Sequence, residues 1–383
     1  MRLLGLTLTN FLSYRSAYVS FEDLTALVGP NASGKSNVVA ALKLLGEIPK
    51  YGLQTALARR GGFDQLRHRV AGRGKPLDPS IAIDFEVASG FEPSRYELRL
   101  GSLAGKRYTV KQEAGHVNSD NGYFAFTRWG KRLSFSGSWE GTHQGIPRVP
   151  EDFEAPEGQS VLPFIGIFGE LDLIWHFLQT IQIVEINPAR VRDFQEPSST
   201  GDLEPDGSNS ASVLEQLPRE RRRELVDELA AIVPGLADIQ PRHYSTKLTI
   251  VFTQQTGEKR REFVANQISD GTLRAFGILL ALHQPIRKNV IVIEEPEAAI
   301  HLGALRTQVD ILNQHADEHQ IVMTTHSADI IDALRENQIR VVWTEDGASH
   351  VAPLAPHTRE TLRTGLITPG ELLRANALDP VGG

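Results

Sequence analysis

Short apolar runs and apolar–polar alternation predict a mixed α/β fold. Alternation predicts strands over 4–9 and 17–21, and the continuous apolar run 24–28 predicts a strand buried on both faces. A helical pattern follows at 37–45. Between 81 and 135, alternation interrupted by turn residues predicts an antiparallel β-subdomain.

The middle of the chain changes from strand to helix patterns. The apolar stretch 162–178 predicts one core helix, and 181–186 predicts a strand. A polar loop at 195–209 precedes two helical patterns, 211–216 and 219–233. These two helices predict a small helical subdomain.

The last third begins with a predicted hairpin around Thr256 and Gly257 and then alternates helices and strands. The predicted segments are helices 275–282, 302–315 and 329–334, and strands 290–293, 321–324, 340–343 and 350–352. Such alternation with fully apolar strands favours a parallel core sheet covered on both faces. The predicted class is therefore α/β, with the antiparallel and helical subdomains added.

We predict three domains. Residues 1–186 form an N-terminal lobe with the antiparallel β-subdomain, 187–245 a linker and helical lid, and 246–383 a C-terminal lobe.

Composition excludes several classes of site. The chain has 383 residues, a formal charge of −7 and no cysteine, which excludes disulfides, thiolate nucleophiles and cysteine-ligated zinc. Its apolar runs are shorter than the roughly 20 residues of a membrane span, and residues 1–5 look like a strand, not a signal peptide. A cytoplasmic protein without membrane contact is expected. Any contact with nucleic acid must come from local basic patches.

A phosphate-binding loop follows the apolar strand 24–28. The motif G-x-x-x-x-G-K-[ST] is met by Gly29, Pro30, Asn31, Ala32, Ser33, Gly34, Lys35 and Ser36, and Asn37 opens the helix. Loop amides and the helix N-terminus bind phosphate, Lys35 reaches the β- and γ-phosphates, and Ser36 is a Mg²⁺ ligand. The alternative is a glycine turn with a chance lysine, but the strand–loop–helix context favours a nucleotide site.

Carboxylates follow the strand 290–293. Glu294 is predicted to hold Mg²⁺, and Glu295 to orient or deprotonate the attacking water. A solvated acidic loop is the alternative, and the phosphate loop upstream favours the catalytic interpretation.

Two further candidate segments, each just before a predicted helix, complete the set of motifs. Ser269, Asp270 and Gly271 precede the helix 275–282, where they form either a simple N-cap or a second phosphate-facing surface. His326 follows the strand 321–324, where a histidine usually caps or packs.

In this order, the four elements resemble Walker A, signature, Walker B and switch histidine of ABC-type ATPases. The chain is most similar to the RecF/SMC/OLD branch and its stand-alone prokaryotic AAA-type predicted ATPases. The resemblance covers about 1–50 and 260–375, and is carried by Leu6–Phe11, Gly29–Ser36, Ile268–Arg274, Ile293–Glu297, Ile300–Leu302, Thr325–Ser327 and Gly365–Leu373.

The resemblance implies an ABC-ATPase head that binds ATP and Mg²⁺ and forms a homodimer or higher oligomer on ATP. The signature of one subunit would close on the nucleotide held by the other. Carried over, the roles are phosphate and metal binding for Lys35 and Ser36, Walker B for Glu294, catalytic base for Glu295, action in trans for Ser269, γ-phosphate sensing for His326, and the start of the D-loop for His301.

Two departures from the family pattern matter. Glu294 replaces the usual Walker B aspartate, and Ser-Asp-Gly-Thr replaces Ser-Gly-Gly in the signature, which argues against a transporter ATPase. The Q-loop glutamine has three candidates, Gln65, Gln179 and Gln182. Tyr14 and Arg15 lie either against the nucleotide or in a surface turn.

Three basic patches are candidates for DNA contact. They comprise Arg59, Arg60, Arg67, Arg69, Arg73 and Lys75; Arg219, Arg221, Arg222 and Arg223; and Lys259, Arg260 and Arg261. Acidic residues interleave the second patch, so it is interpreted as a solvated face. The first patch is the better candidate.

The sequence thus predicts an ATP-hydrolysing dimer that senses or clamps DNA and controls a separate effector such as a nuclease, in phage defence or DNA repair. The alternatives are a nucleotide-locked scaffold with little turnover and a transporter ATPase subunit.

Overall fold

A computed structural model describes residues 1–69, 76–139, 154–166, 169–375 and 377–382. Its strands, numbered in chain order, are β1 Arg2–Phe11, β2 Tyr14–Ser20, β3 Leu24–Val28, β4 Ser80–Glu86, β5 Ser94–Ser102, β6 Tyr108–Ser119, β7 Gly122–Trp129, β8 Arg132–Trp139, β9 Ile181–Val184, β10 Leu236–Tyr244, β11 Lys247–Thr256, β12 Lys259–Val264, β13 Val290–Glu294, β14 Gln320–Thr325, β15 Ile339–Glu345 and β16 Ala348–Pro353.

The helices are numbered in the same way. They are α1 Lys35–Tyr51, α2 Leu53–Ala58, α3 Phe63–Leu66, α4 Leu162–Ile165, α5 Asp172–Gln179, α6 Pro188–Arg192, α7 Ser210–Gln216, α8 Arg219–Ile232, α9 Asp270–His283, α10 Leu302–His315, α11 Ala328–Ile331, α12 Pro356–Arg363 and α13 Pro369–Arg374. Within the described ranges, no helix has the length and apolarity needed to cross a bilayer.

The core sheet has six strands in the order β16-β15-β3-β14-β13-β9. All neighbouring pairs are parallel except β15 and β16, which form an antiparallel hairpin. Strand β3 comes from the N-terminal part of the chain, yet it lies between β15 and β14 from the C-terminal part. The core sheet is therefore built from both ends of the sequence.

Both faces of this sheet are covered, as the apolar strands predicted. In β13, Ile291 and Ile293 pack into one buried cluster with helices α8, α9 and α10. Val290 and Val292, which alternate with them, pack into the other cluster with helices α1 and α5 and the antiparallel sheet. The parallel α/β core is confirmed.

The predicted antiparallel strands, β4 to β8, join β1 and β2 in a seven-stranded sheet in the order β2-β1-β4-β5-β6-β7-β8. Helices α7 and α8 lie beside a separate three-stranded sheet in the order β10-β11-β12. Strand β10 was not predicted, because Pro241 interrupts its pattern. A proline is tolerated there because β10 is an edge strand and needs no outward amide.

Several predicted boundaries are wrong. The single helix 162–178 is replaced by α4 and α5, since Gly169 between them has φ +57°, which an α-helix cannot contain. The predicted strand 181–186 ends at Val184, and the amide of Glu185 bonds to Pro205 instead. The predicted helix 329–334 ends at Ile331.

The predicted division at 245/246 falls in the turn that joins β10 to β11, two paired strands. The division into three domains stays a prediction.

Candidate functional site

Parallel packing brings three of the four sequence motifs to one edge of the core sheet. Strands β3, β14 and β13 are adjacent, and their carboxyl ends lead into the phosphate loop, His326 and Glu295 respectively. Ligands of open α/β sheets bind at this edge. The predicted Walker A, Walker B and histidine segments are therefore neighbours.

Two glycines of the phosphate loop are required by their surroundings. A Cβ added to Gly29 would lie 2.1 Å from the carbonyl oxygen of Val342 in β15. Gly34, at the start of α1, has φ +114°, and a Cβ there would lie 2.4 Å from Ser349 Oγ. Strands β15 and β16 are therefore in direct contact with the phosphate loop, and this contact fixes the path of the loop backbone.

Lys35 is held within the loop. Its Nζ donates hydrogen bonds to the carbonyl oxygens of Gly29 at 2.7 Å and Pro30 at 2.8 Å, and the residue is only 6% exposed. Burial lowers the pKa of Lys35, and the charges of Glu295 and Glu297 oppose this shift. The ammonium group is therefore fixed at the loop, close to two carboxylates.

The Ser36 hydroxyl, in the first turn of α1, lies close enough to the Glu294 carboxylate at the end of β13 to affect the pKa of that carboxylate. Burial raises the pKa of Glu294, and the nearby Ser36 hydroxyl opposes the rise. A hydroxyl and a carboxylate oxygen are the hard donors that Mg²⁺ prefers. The buried Ser33 Oγ, in the same loop, has no hydrogen-bond partner. This donor set fits a phosphate group with Mg²⁺.

Glu295 and His326 face each other beyond the sheet edge. His326 Nδ1 lies 3.7 Å from Glu295 Oε1, and both side chains are about half exposed. The backbone of Glu295 has φ +46°, and its amide donates to the carbonyl oxygen of Thr324 at 3.0 Å. A non-glycine residue in this left-handed conformation is strained and is typical of functional sites.

Glu297 is a site residue to which the sequence assigned no role. Its Oε1 accepts hydrogen bonds from Thr325 Oγ1 at 2.7 Å and the His326 amide at 3.2 Å, and lies 3.7 Å from His326 Nδ1. The side chain is 9% exposed, and Oε2 is buried without a partner. Glu297 therefore positions the histidine segment. The third acid in Glu-Glu-Pro-Glu was the available signal.

The signature segment lies elsewhere. Ser269 is the N-cap of α9, where its Oγ accepts from the Thr272 amide at 3.3 Å, and its side chain is exposed. Arg192 pairs with Asp270, and a Cβ on Gly271 would lie 2.0 Å from the Ala299 carbonyl. Within the described part of the chain, no hydrogen bond or ion pair joins this segment to the phosphate loop.

The predicted D-loop residue His301 also begins a helix. It is the N-cap of α10, and its Nδ1 accepts from the Gly303 amide at 3.1 Å. Because Ala299, two residues earlier, packs on Gly271, the predicted signature is in contact with the segment just before the predicted D-loop.

Hydroxyl groups of residues outside the phosphate loop form hydrogen bonds around the start of α1. The Tyr14 hydroxyl donates to the Gly34 carbonyl at 3.1 Å, and its burial raises the pKa of this tyrosine. Ser13 Oγ accepts from Asn37 Nδ2 and from Ser349 Oγ, each at 2.6 Å. Tyr14 thus belongs to the buried support of the loop, whereas Arg15 is exposed.

The hydrogen-bond partners of the Gln182 side chain lie outside the phosphate loop. Gln182 is buried in hydrogen bonds with the Leu203 carbonyl and with Gln284. Gln179 precedes β9 and therefore lies at the opposite edge of the parallel sheet, and Gln65 lies in α3. At the site edge, β9 is followed by Glu185, which pairs with Lys43 at 2.7 Å and whose charge raises the pKa of Glu294.

The basic patches differ in exposure. In the first patch, Arg60 pairs with Glu47 and Arg67 with Asp64, while Arg73 and Lys75 lie outside the described residues. In the second, Arg221 donates to backbone carbonyls at the end of α9. The third patch, on the hairpin strand β12, is exposed throughout.

Two protein-family models match parts of this chain. The family model described as "AAA domain, putative AbiEii toxin, Type IV TA system" matches residues 172–332, and that described as "AAA ATPase domain" matches residues 1–52. These two ranges contain all four predicted motifs.

Curated relatives belong to the SMC proteins. Structural maintenance of chromosomes protein 1 of Arabidopsis thaliana is 26% identical over 126 residues, which is 32% of this chain and 10% of the relative. The protein of the same name from Schizosaccharomyces pombe is 26% identical over 124 residues, or 29% of this chain and 10% of the relative. The match thus spans about a tenth of these relatives' length.

Solved structures share the fold. An SMC head bound to the C-winged helix domain of ScpA has a TM-score of 0.59 at 16% identity, over 94% of this chain and 100% of that chain. The SMC head of Pyrococcus furiosus, with an extended coiled coil and bound to the C-terminal domain of ScpA, has a TM-score of 0.58 at 13% identity, over 95% and 99%.

The fold and these matches define a P-loop ATPase with the ABC-type head architecture. Within that class, parts of the chain are similar to AAA ATPase domains, and the chain has the fold of SMC heads. The predicted fold and family resemblance are confirmed.

Proposed function

We propose that this ATPase hydrolyses ATP with Mg²⁺ at a site completed by a second copy of the chain. The observation that carries the proposal is that Ser36 and Glu294 lie close together at the same sheet edge as Lys35, Glu295 and His326. Among the described residues, the exposed Ser269 hydrogen-bonds only to Thr272 and to no residue of that edge. A signature serine supplied by a partner chain would complete the site.

Each residue at the sheet edge has a separate role in the proposed hydrolysis. The loop amides and Lys35 bind the phosphates, and Ser36 and Glu294 hold Mg²⁺, which when bound neutralises phosphate charge. Glu295, half exposed, accepts the proton of the attacking water. His326, positioned by Glu297, donates to the terminal phosphate.

Two inactive variants test the composite site. Lys35→Ala disables the phosphate loop, and Ser269→Arg disables the signature, so each alone should lose ATP hydrolysis. In an equal mixture, the heterodimer has one site with both defects and one intact site. Steady-state ATPase assays should then recover about a quarter of wild-type activity, because half of randomly formed dimers are mixed.

Ser89→Arg, at an exposed position remote from these motifs, is the matched control and should leave activity unchanged. Ser269→Arg should still bind ATP, since its own phosphate loop is intact. If the mixture stays inactive although both variants fold and Ser269→Arg binds ATP, the signature does not act in trans.

DNA is the proposed second ligand, and the exposed third patch of Lys259, Arg260 and Arg261 is the surface that favours it. Exposed lysine and arginine side chains neutralise phosphates and release counterions. Replacing all three by glutamine should weaken binding of a double-stranded DNA at low salt by at least about tenfold. Unchanged binding by fluorescence anisotropy would exclude this surface, and no binding by wild type would exclude DNA.

We further propose that the ATP cycle controls a separate effector protein such as a nuclease, in defence or repair. The similar SMC heads are bound to ScpA domains, which supports the idea that this head fold presents docking surfaces. Co-purification in ATP, compared with nucleotide-free buffer, tests whether effector binding follows the nucleotide state.

A further inference from the structure

Helices α8, α9 and α10 meet where α9 and α10 end, at the opposite end of α9 from the predicted signature. Glu228 lies on α8, and His283 and His315 are the last residues of α9 and α10. Glu228 Oε2 lies 2.9 Å from His283 Nε2, and Glu228 Oε1 lies 2.7 Å from His315 Nε2. One oxygen and two nitrogen atoms thus lie within 4.8 Å of one another.

The cluster is largely withdrawn from water. The side chains of His283, His315 and Glu228 are 4%, 14% and 20% exposed. The two imidazole rings are nearly perpendicular, at 85°, with centroids 4.9 Å apart. The Nε2 atoms of both rings point to the carboxylate of Glu228, so contacts with this carboxylate, as well as packing, set the ring orientations.

We propose that Glu228, His283 and His315 bind a divalent transition-metal ion of the Zn²⁺ type. Two imidazole nitrogens and one carboxylate oxygen are a donor set that zinc accepts, with water in the fourth position. Tetrahedral ligands at zinc distances are about 3.4 Å apart, so the two carboxylate–imidazole distances of 2.9 and 2.7 Å need to lengthen by only about 0.5–0.7 Å. The C-terminal ends of α9 and α10 add negative potential that favours a cation.

Glu224 occupies the place of an outer-shell partner. Its Oε2 lies 3.8 Å from Nδ1 of His283, the ring nitrogen that faces away from the cluster. Metal-bound histidines commonly donate this second N–H to a carboxylate, which fixes the tautomer that leaves Nε2 free for the metal. Glu224 is therefore assigned as a positioning residue.

The metal would connect parts of the chain with different roles. Helix α9 begins at the predicted signature, α10 begins just after His301, and α8 belongs to the small helical subdomain. A metal bound at the C-terminal ends of α9 and α10 would fix α8 against these two helices. The N-terminal ends of the same two helices carry Ser269 and His301. This inference rests on the cluster and not on the proposed function.

The test uses full-length, untagged protein treated with chelator, without nucleotide. Titration with Zn²⁺, followed by competition with a chromophoric chelator, should show one tight site per chain. Co²⁺ added instead should produce the d–d absorption bands of a tetrahedral site. Zn²⁺ should also raise the melting temperature of the wild type.

Variants locate the site. His283→Gln and Glu228→Gln should lose the tight site, and Glu224→Gln should weaken it by roughly 10–100-fold. His176→Gln is the matched control, because His176 also pairs with a carboxylate, Asp172 at 2.6 Å, but on the surface. Glu294→Gln separates this site from the nucleotide site and should leave Zn²⁺ affinity unchanged.

Two results would overturn the proposal. Absence of a tight Zn²⁺ site and of Co²⁺ bands in the wild type would leave Glu228 as a hydrogen-bonded bridge between two histidines. Equal Zn²⁺ uptake by wild type and His283→Gln would place the metal elsewhere. The Co²⁺ result does not depend on whether any variant folds.

Discussion

At the residue scale, two carboxylates compete for the role of catalytic base. Glu295 and Glu297 each have an oxygen 3.7 Å from His326 Nδ1. Glu297 is nearly buried and already accepts two hydrogen bonds, whereas Glu295 is half exposed and kept in a strained left-handed conformation. A base must reach a water molecule, which favours Glu295.

Substitution of each acid by its amide distinguishes them. Glu295→Gln should lower kcat for ATP hydrolysis by about 10²–10⁴-fold with ATP binding retained, because the amide cannot accept the proton. Glu297→Gln should cost about tenfold or less, since its amide oxygen can still accept from Thr325 and the His326 amide. Steady-state ATPase assays and nucleotide titrations measure both.

A larger loss in Glu297→Gln than in Glu295→Gln would reverse the assignment. ATP binding without turnover in the wild type would favour the nucleotide-locked scaffold.

At the scale of elements, the seven-stranded sheet contains a buried ion pair. Arg128 of β7 and Glu113 of β6 are about 1% and 0% exposed, with 3.5 Å between Arg128 Nη1 and Glu113 Oε2. Glu113 also accepts from the Tyr96 hydroxyl at 3.0 Å and the Val161 amide at 2.9 Å. This carboxylate therefore links three strands and the segment that begins α4.

Removing one member should destabilise the protein strongly. Glu113→Ala leaves the Arg128 charge buried without its carboxylate, and should lower the free energy of unfolding by about 3–5 kcal/mol in urea denaturation. The exposed pair of Lys131 and Glu154, 2.8 Å apart, provides the control. Glu154→Ala should leave the denaturation midpoint unchanged, and equal effects of both substitutions would contradict the assigned importance of burial.

At the scale of the whole molecule, the core sheet alternates between distant parts of the chain. Strand β3, which leads into the phosphate loop, has both of its sheet neighbours, β14 and β15, beyond residue 319. The loop itself is pressed by the Val342 carbonyl and by Ser349. The N-terminal part of the chain therefore lacks the supports of its own nucleotide site.

Separate expression of the two parts tests this dependence. A fragment of residues 1–245 should show neither ATP binding nor a cooperative thermal transition by circular dichroism, because β3 would have two exposed edges. Mixing it with a fragment of residues 246–383 should restore ATP binding. Wild-type ATP affinity in the first fragment alone would contradict the interleaved core as the support of the loop.

How far the sequence predicts the site depends on how local each signal is. The phosphate loop, the apolar strand before Glu294 and the N-cap Ser269 are each encoded within a few neighbouring residues. Their structures were therefore predictable. Strand β10 was missed because Pro241 is acceptable only at an edge, and edge position depends on the assembled sheet.

The sequence by itself determined which motifs are present, their order and the α/β class, because periodicity and turn chemistry act over short distances. Tertiary structure alone decided which side chains meet. The contact of Glu297 with His326, the Ser13 support beneath Gly34, and the cluster of Glu228, His283 and His315 join residues from separate elements. Such contacts depend on how helices and strands pack across the core sheet, and no local pattern encodes that packing.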